Sequence, residues 1–226
     1  MERTADHVLY IVSTPIGNLE DMTYRAVRTL SEVSLILAED TRNSAKLLRH
    51  YEIGTHMKSY HDFNKERKTE EYIDFLKNEG SIALISDAGT PCVADPGFYI
   101  AREAIKHDIE VIAVPGASAL LSGLVVSGMP TDAFSFENFA PKKSARRIKK
   151  LEELKEHNYT VCFYVSPYQV VKFLDEIDQV YGDIRLSLSR EITKKFEETL
   201  RGTPKELLKH YAQRTPKGEY VLFFHP

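Results

Sequence analysis

Ser81-Ile82-Ala83-Leu84-Ile85-Ser86-Asp87-Ala88-Gly89-Thr90-Pro91 reads as an apolar strand that runs into a turn. Ile82 to Ile85 are apolar in succession, the pattern of a strand buried on both faces. The residues after them are small, polar or turn-forming. Gly89 takes a positive φ without a Cβ clash, and Pro91 fixes its own φ, so the chain bends here. In open α/β sheets the ligand sits outside the carboxyl ends of parallel strands, in loops of this kind. A plain βα connection fits the same pattern. A second turn, Asp95-Pro96-Gly97, follows, and then a helical pattern to about His107.

Working outward, the segments on either side repeat this alternation. Val8 to Val12 reads as a strand closed by Thr14-Pro15-Ile16-Gly17-Asn18. Ala26, Val27 and Leu30 fall at helical spacing, which predicts a helix over Asp21 to Glu32. Leu35 to Ala38 is a second strand running into Glu39-Asp40-Thr41-Arg42. The next helix carries Leu47, Leu48 and Tyr51 and ends near Gly54, a C-cap candidate. Met57 to Tyr60 is a weak third strand, His61 to Lys68 has loop character, and a helix through Tyr72, Phe75 and Leu76 ends at Gly80. Ile109 to Val114 is the fifth strand, closed by Pro115-Gly116-Ala117-Ser118. Five such alternations predict an α/β domain with a five-stranded parallel sheet and right-handed crossovers. The loops at 13–18, 39–42, 86–91 and 115–118 would then share one edge of the sheet.

The domain boundary is expected near Ala117, giving domains at 1–116 and 117–226. The second half is less regular. Ala119 to Val126 reads as an apolar helix, Phe134 to Phe136 as a short strand, and Lys142 to His157 as a basic, then mixed-charge helix. Tyr159 to Val165, Ile184 to Ser189 and Glu219 to Phe224 read as strands, with a helix through Val170, Val171, Leu174 and Ile177. Thr203-Pro204-Lys205-Glu206 has the form of a capped helix start.

Composition narrows the function classes. The length of 226 residues suits one large domain or two smaller ones. A formal charge of −3 gives no global attraction to nucleic acid or anionic membrane, so any such binding needs a local patch. Cys92 and Cys162 make neither a disulfide framework nor a zinc site. Cys92 reads as a packing residue. Met1 to His7 is polar and charged, unlike a secretory leader, and no apolar run is long enough to span a bilayer. The cytoplasm is the expected compartment. The glycines and histidines show no dinucleotide fingerprint, Walker A loop, nucleophile elbow or H-E-x-x-H spacing, and no metal is expected.

The strand-end loops are small, polar and anionic. Asp87 either accepts hydrogen bonds from a ligand and offsets its positive charge, or caps its own turn. Glu39 and Asp40 place a carboxylate for general-base work, or Asp40 or Thr41 caps the next helix. Arg42 clamps a phosphate or carboxylate, or pairs with Glu39. Lys142-Lys143-Ser144-Ala145-Arg146-Arg147-Ile148-Lys149-Lys150 carries six cations in nine residues. It tracks a phosphate backbone or forms a solvated helix face balanced by Glu152, Glu153 and Glu156.

Thr14-Pro15-Ile16-Gly17-Asn18-Leu19, Ala38-Glu39-Asp40-Thr41-Arg42, Ser86 to Pro91 with Asp95-Pro96-Gly97, and Pro115-Gly116-Ala117-Ser118-Ala119 together resemble the class III S-adenosylmethionine methyltransferases. These have the tetrapyrrole-methylase fold. Phe134 to Lys143, Tyr164-Val165-Ser166-Pro167, Arg190 to Lys194, Arg201-Gly202-Thr203 and Gly218-Glu219 also fit, so the resemblance spans nearly the whole chain. It is strongest to the branch that methylates a cytidine ribose 2′-hydroxyl in the decoding region of 16S rRNA. The resemblance implies two α/β domains, the second with a mixed sheet, a cofactor cleft between them, and a homodimer. It implies S-adenosylmethionine near Pro15, Ser86, Asp87, Ala88, Gly89, Val93, Ala94, Ser118 and Ala119, closed by Tyr164 and Gly218. Glu39, Asp40 and Arg42 would serve catalysis. Asn18, Arg42, Lys142, Lys143, Arg146 and Arg147 would meet 16S rRNA, free or in the small ribosomal subunit. Two departures stand out. Many members continue past the position of Pro226, and the usual Gly-Phe-Leu-Pro appears as Asn138-Phe139-Ala140-Pro141. A metabolite methyltransferase of the same fold and a non-catalytic RNA-binding protein are the competing readings.

Overall fold

The structure is a computed structural model that describes residues 7–61, 65–95 and 97–226, with the backbone alone at 65–67. The leader reading at 1–6, the polar residues 62–64 and the Pro96 turn position lie outside the described residues. The chain divides into two compact units, Met1–Ser118 and Ala119–Pro226.

The first unit alternates β1 (Leu9–Val12), α1 (Tyr24–Glu32), β2 (Leu35–Ala38), α2 (Thr41–His50), β3 (Met57–Ser59), α3 (Lys65–Asn78), β4 (Ile82–Ile85), α4 (Phe98–Lys106) and β5 (Val111–Val114). Its strands are all parallel, in the order β3-β2-β4-β1-β5. The unbroken apolar run in β4 has a direct cause. Ile82 and Leu84 pack with Leu76 of α3 and Ile100 of α4. Ala83 and Ile85 pack with Leu30 of α1 and Leu48 of α2. Alternate side chains therefore enter opposite cores, and no position of β4 faces water. The chain steps outward from β1 to β2 and β3 with helices on one face, then returns through β4 to β5 with helices on the other. The order reverses beside β1 and β4, the place where doubly wound sheets hold ligands.

Three local differences from the sequence reading have physical reasons. Residues 65–68 are helical rather than loop, because α3 starts at Lys65. The α2 cap is not Gly54. Glu52 takes the left-handed conformation at φ 56°, and Ile53 N–H donates back to the Leu48 carbonyl at 2.9 Å. That bond closes a Schellman turn two residues earlier than the glycine. The predicted start of α1 at Asp21 is a separate 3-10 turn, Leu19–Asp21, and Thr23 caps the helix.

The second unit runs α5 (Ala119–Ser127), β6 (Phe134–Phe139), α6 (Ser144–Leu154), β7 (Thr160–Val165), α7 (Val170–Tyr181), β8 (Leu186–Arg190), β9 (Glu198–Gly202), α8 (Pro204–Tyr211) and β10 (Tyr220–Phe224). Its mixed sheet has the order β6-β7-β10-β8-β9, with only β6 and β7 parallel. One face packs Phe163 and Phe224 against Phe173 and Leu174 of α7. The other packs Cys162, Val221 and Phe223 against α5. Thr203 and Glu206 form the capping box anticipated at α8. The sequence pattern does not predict β9.

Candidate active site

Parallel pairing of β1 with β4 sets the loops after them side by side. Thr14 N–H donates to the Gly89 carbonyl at 2.8 Å, and Gly89 N–H returns the bond to Thr14 at 3.0 Å. The Thr14 hydroxyl donates to the Ser86 carbonyl at 3.3 Å. Ser13 Oγ lies 2.9 Å from Thr90 Oγ1, which reaches the Ala117 carbonyl at 3.4 Å. These bonds join the loops after β1, β4 and β5. Asp87 brings in the loop after β2. Its Oδ1 accepts from Asp40 N–H at 3.2 Å, and its Oδ2 accepts from Asn43 Nδ2 at 3.0 Å. The four loops expected at one sheet edge are therefore one connected network.

Gly89 is required at its position. Its φ is 79°, and a Cβ there would meet the Ile16 side chain at 3.3 Å. Pro15 and Ser86 are buried beneath the network, whereas Asp87 and Ala88 are exposed. Val93 is exposed beyond it, and Ala94 is left-handed at φ 66°. Ser118 closes the first unit.

Charge divides the carboxylates. Burial pushes the Asp95 carboxyl up to about 6, against a hydrogen bond from Ser86, and the negative charges of Glu39 and Asp87 push it further. Asp40 moves the other way. The Arg42 side chain holds it down at about 2, helped by the Arg42 backbone N–H. Arg42 Nε reaches Oδ1 at 3.1 Å and Nη2 reaches Oδ2 at 2.8 Å, a bidentate pair. Asp40 is also the N-cap of α2. So Asp40 fills the capping reading rather than that of a general base, and Arg42 pairs with Asp40 rather than Glu39. The Arg42 side chain stays exposed. Asn18 caps the 3-10 turn through Glu20 N–H at 3.1 Å.

Two polar residues of the network escaped the sequence reading as site residues. Asn43 sits one residue past Arg42, and its spacing from Asp40 on the first turn of α2 is the signal that could have found it. Asp95 was read only as part of a turn. Burial also raises the Cys92 thiol to about 11, in keeping with a packing role.

In the second unit, Ala119 begins α5. The half-buried Tyr164 ring meets Phe136 and Phe139 edge-on at 4.8 and 5.4 Å. Gly218 turns the chain into β10 with φ 89°, beneath the Glu191 side chain. Lys142, Lys143 and Arg146 are exposed. Arg147 is not, and its assignment to the RNA-facing set is corrected. Only 3% of it is exposed, and its guanidinium is bound to Glu176 at 2.5 and 2.6 Å. The helical period that turns Lys143 and Arg146 outward turns Arg147 into the core.

Among the described residues, no cluster of His, Cys, Asp and Glu could hold a metal ion, and no helix is long and apolar enough to cross a membrane. Strand-end loops joined at the switch point of one parallel sheet, followed along the chain by a mixed-sheet unit, define a class of two-unit α/β proteins. Residues 8–208 match the family described as Tetrapyrrole (Corrin/Porphyrin) Methylases, and the chain belongs to that family. Among its relatives is the Ribosomal RNA small subunit methyltransferase I of Halalkalibacterium halodurans, 45% identical over 221 residues. That match covers 98% of this chain and 76% of the relative. The protein of the same name from Synechocystis sp. is 44% identical over 216 residues, covering 95% of this chain and 77% of the relative. The solved structure of a cobalamin biosynthetic enzyme, cobalt precorrin-4 methyltransferase, matches with a TM-score of 0.70 at 16% identity. It covers 96% of this chain and 94% of its own, a likeness of fold. The family and fold anticipated from the strand-end loops are both borne out.

Proposed function

We propose that this chain is an S-adenosylmethionine-dependent methyltransferase that modifies the 2′-hydroxyl of a cytidine ribose in the decoding region of 16S rRNA. The observation that carries methyl transfer is the acidic, small-residue network at the switch point. When bound, S-adenosylmethionine supplies a methyl group on a positively charged sulfur. The residues fit such a cation. Glu39, Asp87 and Asp95 bring three carboxylates to the network; burial raises Asp95, and the negative charges of Glu39 and Asp87 add to that. Ala88 is small and exposed, so a ligand can approach the backbone there. Support for rRNA as acceptor comes from the names of the relatives. The family resemblance adds cytoplasmic action as a homodimer, on free rRNA or the small subunit.

The chain's own work is to align the reactants and exclude water. Glu39, at the end of β2, is the proton acceptor for the ribose hydroxyl, because Asp40 is held too acidic to take a proton at neutral pH. Arg42 and Asn18 position the nucleotide, and Lys142, Lys143 and Arg146 contact phosphate. Single-turnover transfer to small subunits tests the assignment. Glu39→Ala should slow the step by about 10²-fold or more, with calorimetric affinity for S-adenosylmethionine retained. An undiminished rate in Glu39→Ala removes Glu39 from the mechanism.

A further inference from the structure

The second unit carries a pocket that the proposed methyl-transfer network does not use. It has a volume of about 390 Å³ and lies between the start of α6 and one face of α7, from the N-cap Gln169 along to Gln179. That is within the range over which proteins hold small ligands, about 300–1,000 Å³. Lys142, Tyr168 and Lys172 stand around it, with the Arg147–Glu176 pair among its lining.

Tyr168 is the unusual residue. It is 92% exposed, on the short loop between β7 and α7. A fully solvated aromatic ring adds nothing to the core, and its face is open to a planar partner. The cations point the same way. Lys142, Lys143, Arg146 and Lys172 are exposed, and among the described residues none of them makes an ion pair. Glu176 is neutralised by Arg147, and Asp175 is the remaining acid of the lining. The helix ends add to this sign. Neither α6 nor α7 has an acidic residue in its first turn, and neither N-cap side chain bonds to the helix. Helix N-termini carry partial positive charge, and stability alone favours acids there. Here Lys143, Arg146 and Arg147 stand at the α6 end and Lys172 at the α7 end instead. The floor is rigid, since Arg147 Nη1 and Gln169 Nε2 both donate to the Pro141 carbonyl, at 2.9 and 3.2 Å.

We propose that this pocket holds one unpaired nucleotide of the RNA substrate, its base stacked on Tyr168 and its phosphate between Lys142 and Lys172. The assignment rests on the rRNA reading above and deepens it. Stacking on an exposed aromatic ring flanked by cations is how proteins hold single-stranded bases without reading their edges. The pocket therefore contributes affinity for a strand flanking the target, whatever its sequence.

The test uses the full chain and a fluorescein-labelled single-stranded 12-nucleotide RNA, followed by anisotropy. Tyr168 is exposed, so its variants fold, and circular dichroism checks this. Tyr168→Ala should weaken binding about 5- to 150-fold, the range for loss of one stacked base. Tyr168→Phe should restore it. Lys142→Ala with Lys172→Ala should reduce the salt slope by about 1.4, the expectation for two phosphate contacts on a single strand. Equal affinity in Tyr168→Ala and wild type overturns the proposal, as does a wild-type chain that binds a polyglutamate peptide and not the RNA. Methyl transfer to small subunits is measured in parallel. Transfer that persists while Tyr168→Ala binds normally removes the pocket and leaves the enzyme reading standing. Tyr168-dependent RNA binding without any transfer supports the pocket and removes the assigned reaction.

Discussion

Replacing Glu176 by alanine should destabilise the second unit more than any surface change. Arg147 and Glu176 have side chains only 3% and 7% exposed. Two charge-assisted bonds of 2.5 and 2.6 Å join them, and Ser144 Oγ donates to Glu176 at 2.6 Å. Arg147 Nη1 also donates to the Pro141 and Lys142 carbonyls, both at 2.9 Å. Removing the carboxylate leaves a guanidinium charge in low dielectric, which costs about 3–5 kcal/mol. At a urea dependence of about 2 kcal/mol/M, the midpoint falls by about 1.5–2.5 M. Arg147→Met alone should cost a similar amount, since it leaves the buried Glu176 without its counter-charge and takes the Arg147 donor from the Lys142 carbonyl. The double variant Arg147→Met with Glu176→Leu should recover most of the loss, because matched apolar replacement of a buried pair is often neutral. Urea unfolding of the full chain by far-UV circular dichroism measures all three. The wild-type midpoint should change little with salt, as the pair is shielded from solvent ions. A Glu176→Ala variant within about 1 kcal/mol of wild type would refute the reasoning, since exposed ion pairs contribute no more than that.

Other outcomes follow from single observations. Asp95, raised to about 6 from 3.8, stabilises the fold in its protonated form below pH 4 and loses that contribution as pH rises through about 6. Its partial exposure limits the effect to about 1–2 kcal/mol, so Asp95→Asn should flatten the pH dependence of Tm between pH 4 and 8. A methyl at Gly123 would lie 2.7 Å from the Phe223 ring. Gly123→Ala should therefore cost about 1–3 kcal/mol by overpacking, read by urea midpoint. Asp40→Ala removes the α2 cap and should lower the urea midpoint, while Asp40→Asn, which can still accept from Arg42 N–H, should lower it less.

The core strands were legible because burial on two faces forces unbroken apolar runs. Ile82 to Ile85 and Leu35 to Ala38 have no other reading once helices cover both faces. β9 was not legible. Glu198–Gly202 pairs with β8 at the sheet edge, where polar residues such as Glu198, Thr199 and Arg201 are tolerated. The α2 end was misplaced because a glycine is the usual left-handed residue, and Glu52 occupies that conformation instead. At the site, the shared edge of the four loops followed from parallel topology. Which carboxylate does what did not, because it depends on partners distant in sequence. Asp87 meets Asp40 and Asn43 across 47 and 44 residues. Arg147 looked like its exposed neighbours because its partner Glu176 lies 29 residues away.

Radiolabel transfer from S-adenosylmethionine to small ribosomal subunits prepared from cells lacking this protein, followed by digestion to nucleosides, tests the central claim most directly. The account predicts label in 2′-O-methylcytidine alone. Label in another nucleoside, or none while calorimetry shows the cofactor bound, would contradict it.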